Sequence, residues 1–431
     1  MGESNHSELG RRAFVGAAAA ANLMILKPEL VRGYAANSAV RLGLLGCGGR
    51  GTGVATSFVE NAGARLTALG DLFSDQLERG KAHFDRVAAK LGQTPVANSQ
   101  LFHGPNAYQE LFGSKEVDAV YIATPVYFHP MHLEAAVAEG KHVYVEKPLG
   151  VDVPAVRRSL RAAEKARGRL SVTVGLQLRH ATPYVEQVKR VHSGALGEIV
   201  SGLVHYYAGP IERPAWPDAS PAERRLRNWV WDIALSGDII VEQNVHVIDF
   251  TNWLLAAHPL KASGGVRGRK GRTDTGDCSS HYECTFTYPN DVHISFASTQ
   301  FIKGAWDVAM RFFGSQGTSE AHYDAPVRIL GDHPWEFPGL GAPGQVVDGK
   351  AAVAGKFHGA LDDADANKQK AFIASITSGN YLNEVMPAAE ATMSAIMGRM
   401  AAETGSDVRW DDVVRSEQML DARLDLGAIA R

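Results

Sequence analysis

The chain has 431 residues, 45% of them hydrophobic and 21% charged, with a formal net charge of −3. That length supplies two or three domains and a sizeable apolar core without disulfide or metal staples. Near-balanced charge argues against the basic footprint of a nucleic-acid binder, so no nucleic-acid partner is expected.

Residues 1–39 read as a targeting segment. Arg11 and Arg12 are followed by Phe14, then by an alanine-rich apolar run from Gly16 to Leu26 and small residues up to Ala39. Paired arginines with a mild apolar run resemble a twin-arginine export signal, which places the mature protein in the periplasm or outside the cell. The alternative is an ordinary N-terminal helix, or an arm lying along a partner subunit. The run is shorter than the ~20 residues that cross a bilayer, so no membrane span is expected. Cys47, Cys278 and Cys284 lack metal-ligand spacing, and no metal or structural disulfide is expected.

Leu42 to Leu45 read as a buried parallel strand that runs into Gly46, Gly48, Gly49, Arg50 and Gly51. The G-x-G-x-x-G spacing suits a dinucleotide loop. Gly46 allows the tight turn, Gly48 lets backbone approach a pyrophosphate, and Gly51 lets the following helix pack close to the strand. A second strand ends in Asp71, about 20 residues after Gly51, where a carboxylate accepts from ribose hydroxyls and favours NAD over NADP. The bland alternative is that Asp71 caps the helix beginning near Ser74. Helix is expected over 74–91, loop over 93–104 and a short helix over 106–112. Strand is expected over 117–125 and 142–145, with a helix from His129 to Gly140 between them. Helix over 156–166 and a last strand over 170–176 complete a parallel sheet covered on both faces. Glu146-Lys147-Pro148 stands at a strand's carboxyl end, where ligands of such sheets bind.

The glycine loop, the strand ending in Thr124-Pro125 with His129 nearby, and Glu146-Lys147-Pro148 occur in the order that resembles the glucose–fructose oxidoreductase / inositol dehydrogenase (Gfo/Idh/MocA) family. The resemblance implies that Lys147 touches the hydroxyl being oxidised and that Glu146 lies near the cofactor ribose. It also implies that Thr124, Pro125 and His129 line the cofactor.

A helix to Ser193 and the turn 194–199 lead into a strand over 200–207, again resembling the family's entry to its substrate domain. Residues 208–228 are expected to be irregular. Trp216, Trp229 and Trp231 are candidates to stack on a sugar, with core packing the alternative for the last two, and Arg179 is a candidate substrate contact. Glu242 and His246 are four apart and would share a helix face, Asp249 continuing the stripe. A carboxylate there would hold the imidazole's tautomer and favour its protonated form. The family pattern implies that His246 is the catalytic histidine. Glu242 stands where the family usually carries aspartate, leaving open whether it orients His246, contacts substrate or acts as an acid.

Strands are expected over 279–288, 291–301 and 307–313, with helices over 368–377, 388–404 and 416–424. The basic residues 267–272 read as a solvated loop, and 331–366 as a Gly/Pro-rich rim. The expected fold is therefore α/β. A Rossmann doubly wound parallel sheet occupies 40–178, and an α+β domain with a large, mostly antiparallel open sheet occupies 179–431. The resemblance implies that this sheet packs against another subunit, giving a homodimer or homotetramer. The expected activity is exported NAD-dependent oxidation of a sugar, glycoside or polyol hydroxyl with a tightly held cofactor. The alternative is a glycoside hydrolase that oxidises a ring hydroxyl transiently and re-reduces it; a third class is a non-enzymatic sugar binder with a vestigial nucleotide fold.

Overall fold

The computed structural model describes residues 39–269, 275–303, 306–340 and 359–429. The export segment expected over 1–39 therefore lies, but for Ala39, outside the described residues, as do residues 270–272 of the basic cluster. Among the described residues no helix is long and apolar enough to cross a membrane.

Six parallel strands form the first sheet: β1 (Arg41–Leu45), β2 (Arg65–Asp71), β3 (Leu101–His103), β4 (Ala119–Ile122), β5 (His142–Val145) and β6 (Val172–Val174). Their order is β3-β2-β1-β4-β5-β6, so the topology reverses between β1 and β4, where such folds open a ligand crevice. All four residues of β4 are buried, as a strand covered on both faces requires. The covering helices are α1 (Gly49–Asn61), α2 (Ser74–Leu91), α3 (Ala107–Gly113), α4 (His129–Ala138) and α5 (Val153–Ala166). Strand β3 occupies part of the stretch expected as loop; three residues are too few to show a period of two.

After α6 (Thr182–His192) come nine strands in the order β14-β13-β12-β11-β7-β10-β9-β8-β15. They are β7 (Ile199–Tyr207), β8 (Lys261–Gly268), β9 (His281–Tyr288), β10 (Val292–Thr299), β11 (Asp307–Gly314), β12 (Gly317–His322), β13 (Val327–Gly331), β14 (Trp335–Glu336) and β15 (Val408–Arg409). Neighbours run antiparallel except β7 and β10, which pair in parallel. Helices α7 (Val245–Leu255) and α9 (Val385–Thr404) pack on one face. β8 takes in Arg267, a residue expected in a loop. Its two consecutive glycines, Gly264 and Gly265, both at positive φ, break the alternation. The irregular stretch 208–228 also contains one short helix, Pro221–Arg227.

The helix expected over 416–424 is absent. Arg157 donates to the Ser416 carbonyl at 3.0 Å, and the Leu420 N–H donates to Asp152 Oδ2 at 2.8 Å, tethering this segment to α5 and its start. Helix α8 (Ala364–Ser378) returns to the first sheet and buries Phe372 and Ile373 beside Val54, Phe58, Tyr121 and Tyr144. The nucleotide half thus borrows core residues from the far end of the chain.

Candidate active site

The glycine loop joins the end of β1 to α1. Gly46 has φ +98°, and a Cβ there would sit 2.6 Å from the Ala123 carbonyl oxygen. A Cβ on Gly51 would lie 1.9 Å from the Gly46 oxygen, so close helix–strand packing forbids any side chain. A Cβ on Gly48 or Gly49 would meet nothing within 4 Å. Both face open space, and no side chain caps the start of α1. An uncapped helix start beside open backbone fits a pyrophosphate. Asp71, at the end of β2, accepts from the Cys47 N–H (2.7 Å) and the Phe73 N–H (2.9 Å), tying this loop to the neighbouring strand. Burial pushes the Asp71 carboxyl up, against those two N–H groups. It does not cap α2, whose N-cap is Phe73.

Beneath the loop lies a buried ionic cluster. Arg50 donates through Nε to Glu146 (2.9 Å) and through its two terminal nitrogens to Asp365 (2.9 and 3.1 Å). Lys368, fully buried, donates to Asp365 at 3.1 Å, and the Tyr121 hydroxyl donates to Glu146 at 2.9 Å. Burial opposes ionisation of Glu146 and Asp365, but Arg50 and Lys368 outweigh it and hold both carboxyls below their ordinary range. Sequence reading does not find Asp365 and Lys368. Asp365 stands 315 residues from Arg50, and no local pattern marks either residue.

Lys147 follows β5, in a turn whose Lys147–Pro148 bond is cis. His129 braces this turn: Nδ1 lies 2.7 Å from the Pro148 carbonyl and Nε2 lies 2.8 Å from the Thr124 carbonyl. Burial pushes the imidazole down although both carbonyls favour its protonated form. Thr124 Oγ1 is 3.0 Å from His132 Nδ1, and the Pro125 carbonyl accepts from the Phe128 N–H at 3.0 Å. His129 is thus a positioning residue with both ring nitrogens engaged by backbone.

From the second half, Glu242 reaches Lys147. The ammonium donates to Glu242 Oε1 at 2.9 Å and to the Glu242 carbonyl at 2.5 Å, with both side chains more than four-fifths buried. The continuous helix expected to carry Glu242 and His246 is broken. A short turn, Ile239–Glu242, stops before α7, and the Asn244 N–H reaches back five residues to the Ile239 carbonyl at 3.0 Å. Glu242 is therefore free to meet Lys147, and of the three roles left open for it, orienting His246 is the one this pairing does not support. His246 Nδ1 has no partner. Burial, then the charges of Lys147, Arg50 and Lys368, hold the imidazole well below 6.5, so it is neutral rather than protonated.

Arg179 is paired bidentately with buried Asp249 at 2.8–3.0 Å. Trp231 is 2% exposed within the core, which leaves no ring face open to stack on a sugar. Trp216 lies instead beside the end of β2. There the Arg227 guanidinium sits 4.7 Å from its ring and 3.9 Å from that of Phe73, while pairing with Asp75 at 2.9 Å. The structure brings together the glycine loop, Asp71, Glu146, Lys147, Glu242 and His246 around the carboxyl ends of the first sheet. Among the described residues, no group of three or more His, Cys, Asp or Glu is gathered for a metal ion.

Comparison with known proteins agrees with this arrangement. Residues 40–174 match the family described as "Oxidoreductase family, NAD-binding Rossmann fold", and residues 184–320 match the GFO/IDH/MocA C-terminal domain. An inositol 2-dehydrogenase of Rhizobium meliloti is 26% identical over 67% of this chain and 78% of its own length. A glycosyl hydrolase family 109 protein of Streptomyces coelicolor is 28% identical over 39% of this chain, a stretch spanning only 34% of that relative. The scyllo-inositol dehydrogenase of Lactobacillus casei, solved with NAD(H) and scyllo-inositol, shares the fold, with a TM-score of 0.64 at 18% identity over 87% of this chain and 100% of its own. The two matched regions take in more than half of the sequence, and the chain belongs to the Gfo/Idh/MocA oxidoreductase family, with an NAD-binding Rossmann fold in its first half.

Proposed function

We propose that this protein is an NAD-dependent oxidoreductase acting on a hydroxyl of a sugar, glycoside or polyol. One observation carries the reading: an ammonium from the first half, Lys147, is bonded to Glu242 from the second, and neutral His246 follows within one turn. The glycine loop, with Gly48 open and Gly51 closed to any side chain, fits a nicotinamide dinucleotide, and the Asp71 carboxylate disfavours the 2′-phosphate of NADP. When bound, NAD supplies the hydride acceptor. Lys147 donates to the substrate oxygen and stabilises the alkoxide that develops there. His246 takes the hydroxyl proton on a ring nitrogen, a step worth roughly 10²–10⁴-fold. Glu242 takes no part in orienting that imidazole; it holds Lys147 in place.

The strap 208–228, pinned by Arg227 to Asp75 and Phe73 at the end of β2, supports a tightly held nucleotide. Exposed Leu203, Val266 and Leu330 on the large sheet support a homo-oligomer formed through that sheet, and light scattering on the purified protein measures it. Export by the twin-arginine route is part of the same proposal. Replacing Arg11 and Arg12 by lysine and fractionating cells is its test, and unchanged export refutes it.

A second reading rests on the glutamate at 242 and on the local likeness to the glycosyl hydrolase family 109 protein: hydrolysis of a glycoside with NAD recycled. Mass spectrometry of the denatured protein tests for co-purified nucleotide. NADH formation with sugars or polyols supports the first reading, and aryl glycoside cleavage without net NADH supports the second. Neither activity, with no nucleotide bound, overturns both.

A further inference from the structure

Gly237 and Asp238 precede the Ile239–Glu242 turn, and both have positive φ, +82° and +74°. A Cβ on Gly237 would lie 2.9 Å from Val241 Cγ1, which leaves no room for a side chain. At Asp238 ψ is 166°, a combination that essentially only glycine adopts without strain. Of the non-glycine residues at positive φ among those described, Asp238 alone is buried. Its Oδ1 accepts from the Ile239 N–H (2.7 Å) and the Ser279 N–H (2.9 Å). Its Oδ2 accepts from Ser279 Oγ (3.0 Å), the Tyr282 hydroxyl (2.7 Å) and Arg267 Nη1 (3.5 Å). The strained residue is thus fastened to β9 and the segment leading into it. Its own carbonyl accepts the Glu242 N–H at 2.9 Å, so it fixes the turn that carries the carboxylate facing Lys147.

Arg399, on α9 and 2% exposed, reaches the same turn from another element. Its Nη1 donates to the Gly237 carbonyl at 2.8 Å and to the Val151 carbonyl at 2.9 Å. Val151 follows the Lys147–Pro148 turn in the first half of the chain, and Gly237 opens the Glu242 turn in the second. One guanidinium nitrogen therefore ties together the two turns whose side chains meet at 2.9 Å. Arg267 and Arg399 both approach Glu403 at 3.9 Å, which closes a ring back to Asp238. Buried charges persist where hydrogen bonds and ion pairs compensate them. Strain of this kind gathers at active sites, held there by surroundings that over-determine it.

We propose that Asp238 and Arg399 are positioning residues for Lys147. Arg399 holds the Lys147 turn against the Glu242 turn, Asp238 anchors the Glu242 turn to the large sheet, and together they fix the ammonium where the substrate oxygen is polarised. Neither residue touches substrate; each acts through Lys147. This inference rests on the oxidoreductase reading above, in which Lys147 donates to that oxygen. A misplacement of about 1 Å costs on the order of 100-fold in rate.

The experiment compares the NAD-loaded full-length protein with Asp238→Gly, Asp238→Asn and Arg399→Lys, on a panel of inositols and aldohexoses. Asp238→Gly relieves the strain and is expected to melt within a few degrees of the parent and to bind NAD equally well, while kcat falls roughly 100-fold with KM unchanged. In the Lys147→Met background the same change is expected to cost no more than about twofold, because the ammonium it acts through is already gone. A crystal structure of the glycine variant is expected to show the Lys147–Glu242 contact opened from 2.9 Å. Asp238→Asn keeps the Oδ1 acceptor and is expected to lose roughly 10-fold in kcat; it serves as the working variant if the glycine protein does not fold. Arg399→Lys keeps the charge but not the double contact, and kcat is expected to fall here too. If the Asp238 variant slows turnover by the same factor with and without Lys147, or melts markedly lower with kcat unchanged, or leaves the 2.9 Å contact intact, the inference fails while the oxidoreductase reading stands. If the parent binds NAD and oxidises none of the panel, that reading fails and takes this one with it.

Discussion

Replacing Lys147 by methionine separates the chemistry of this site from its stability. The ammonium is 2.9 Å from Glu242 Oε1, with side-chain exposures of 13% and 14%. Breaking a buried pair by removing one partner costs about 3–5 kcal/mol, because the remaining charge is left without compensation. Residual exposure of this pair puts the cost near the lower figure. At about 2.1 cal/mol/K per residue, the Val40–Arg431 unit has an unfolding entropy of roughly 0.8 kcal/mol/K, so about 3 kcal/mol lowers Tm by about 4 °C. The double variant Lys147→Met/Glu242→Gln removes both charges, and most of that loss is expected to return. Activity behaves differently. Without a cation at the substrate oxygen, kcat is expected to fall by roughly 10²–10³-fold in both variants, with bound nucleotide retained in each. Calorimetry, denaturing mass spectrometry and steady-state kinetics measure the three quantities. A single variant whose kcat stays within a few-fold of the parent refutes the role assigned to Lys147. A double variant melting as low as the single one refutes the electrostatic account of the pair.

Gly51→Ala places a methyl 1.9 Å from the Gly46 carbonyl and is expected to lower Tm by several degrees or to prevent folding. Gly48→Ala meets no protein atom within 4 Å and is expected to leave the Tm of the nucleotide-free protein unchanged while nucleotide content drops, as read by melting and mass spectrometry. Arg50→Met takes the shared cation from buried Glu146 and from partly exposed Asp365, which keeps Lys368, and is expected to cost about 3 kcal/mol in chemical denaturation. Acid is expected to destabilise the fold. Burial holds His246 and His129 below 6.5 and pushes His132 down to about 3, so each takes up a proton on unfolding once pH drops below 6.5. Each costs about 1.4 kcal/mol per pH unit between 6.5 and its own folded value. His322, raised by Asp307 despite burial, works in the opposite sense: its contribution is present below 6.5 and lost as pH rises through its folded value. A Tm that stays level from pH 6.5 to 4 refutes the three-histidine account.

The first sheet, β3 excepted, is legible in the sequence because its strands are short, mostly apolar runs bounded by turn and helix signals. Gly46, Gly51 and the strand ends at Asp71 and Val145 follow from local spacing alone. What local spacing does not carry is pairing across the chain. Glu242 and His246 are four apart, and a regular helix would have joined them. The break at Gln243–Asn244 sends the carboxylate to Lys147 instead, and only the tertiary fold reveals it. Trp231 shows the converse: a tryptophan just past a run of prolines looks like a platform for a sugar, yet it is packed inside. Residues 416–424 carry a helix-like composition, but side chains at and near the start of α5 supply their backbone with other partners.

Asp365 and Lys368 close the underside of the glycine loop from a helix far downstream, Asp365 lying 315 residues after Arg50. On the ribosome, Arg50 and Glu146 emerge long before the groups that neutralise them. A fragment ending after β6 would carry every dinucleotide motif and still lack the floor on which the motif rests. Competence to hold a coenzyme thus waits on a helix that follows the glycine loop by some 315 residues.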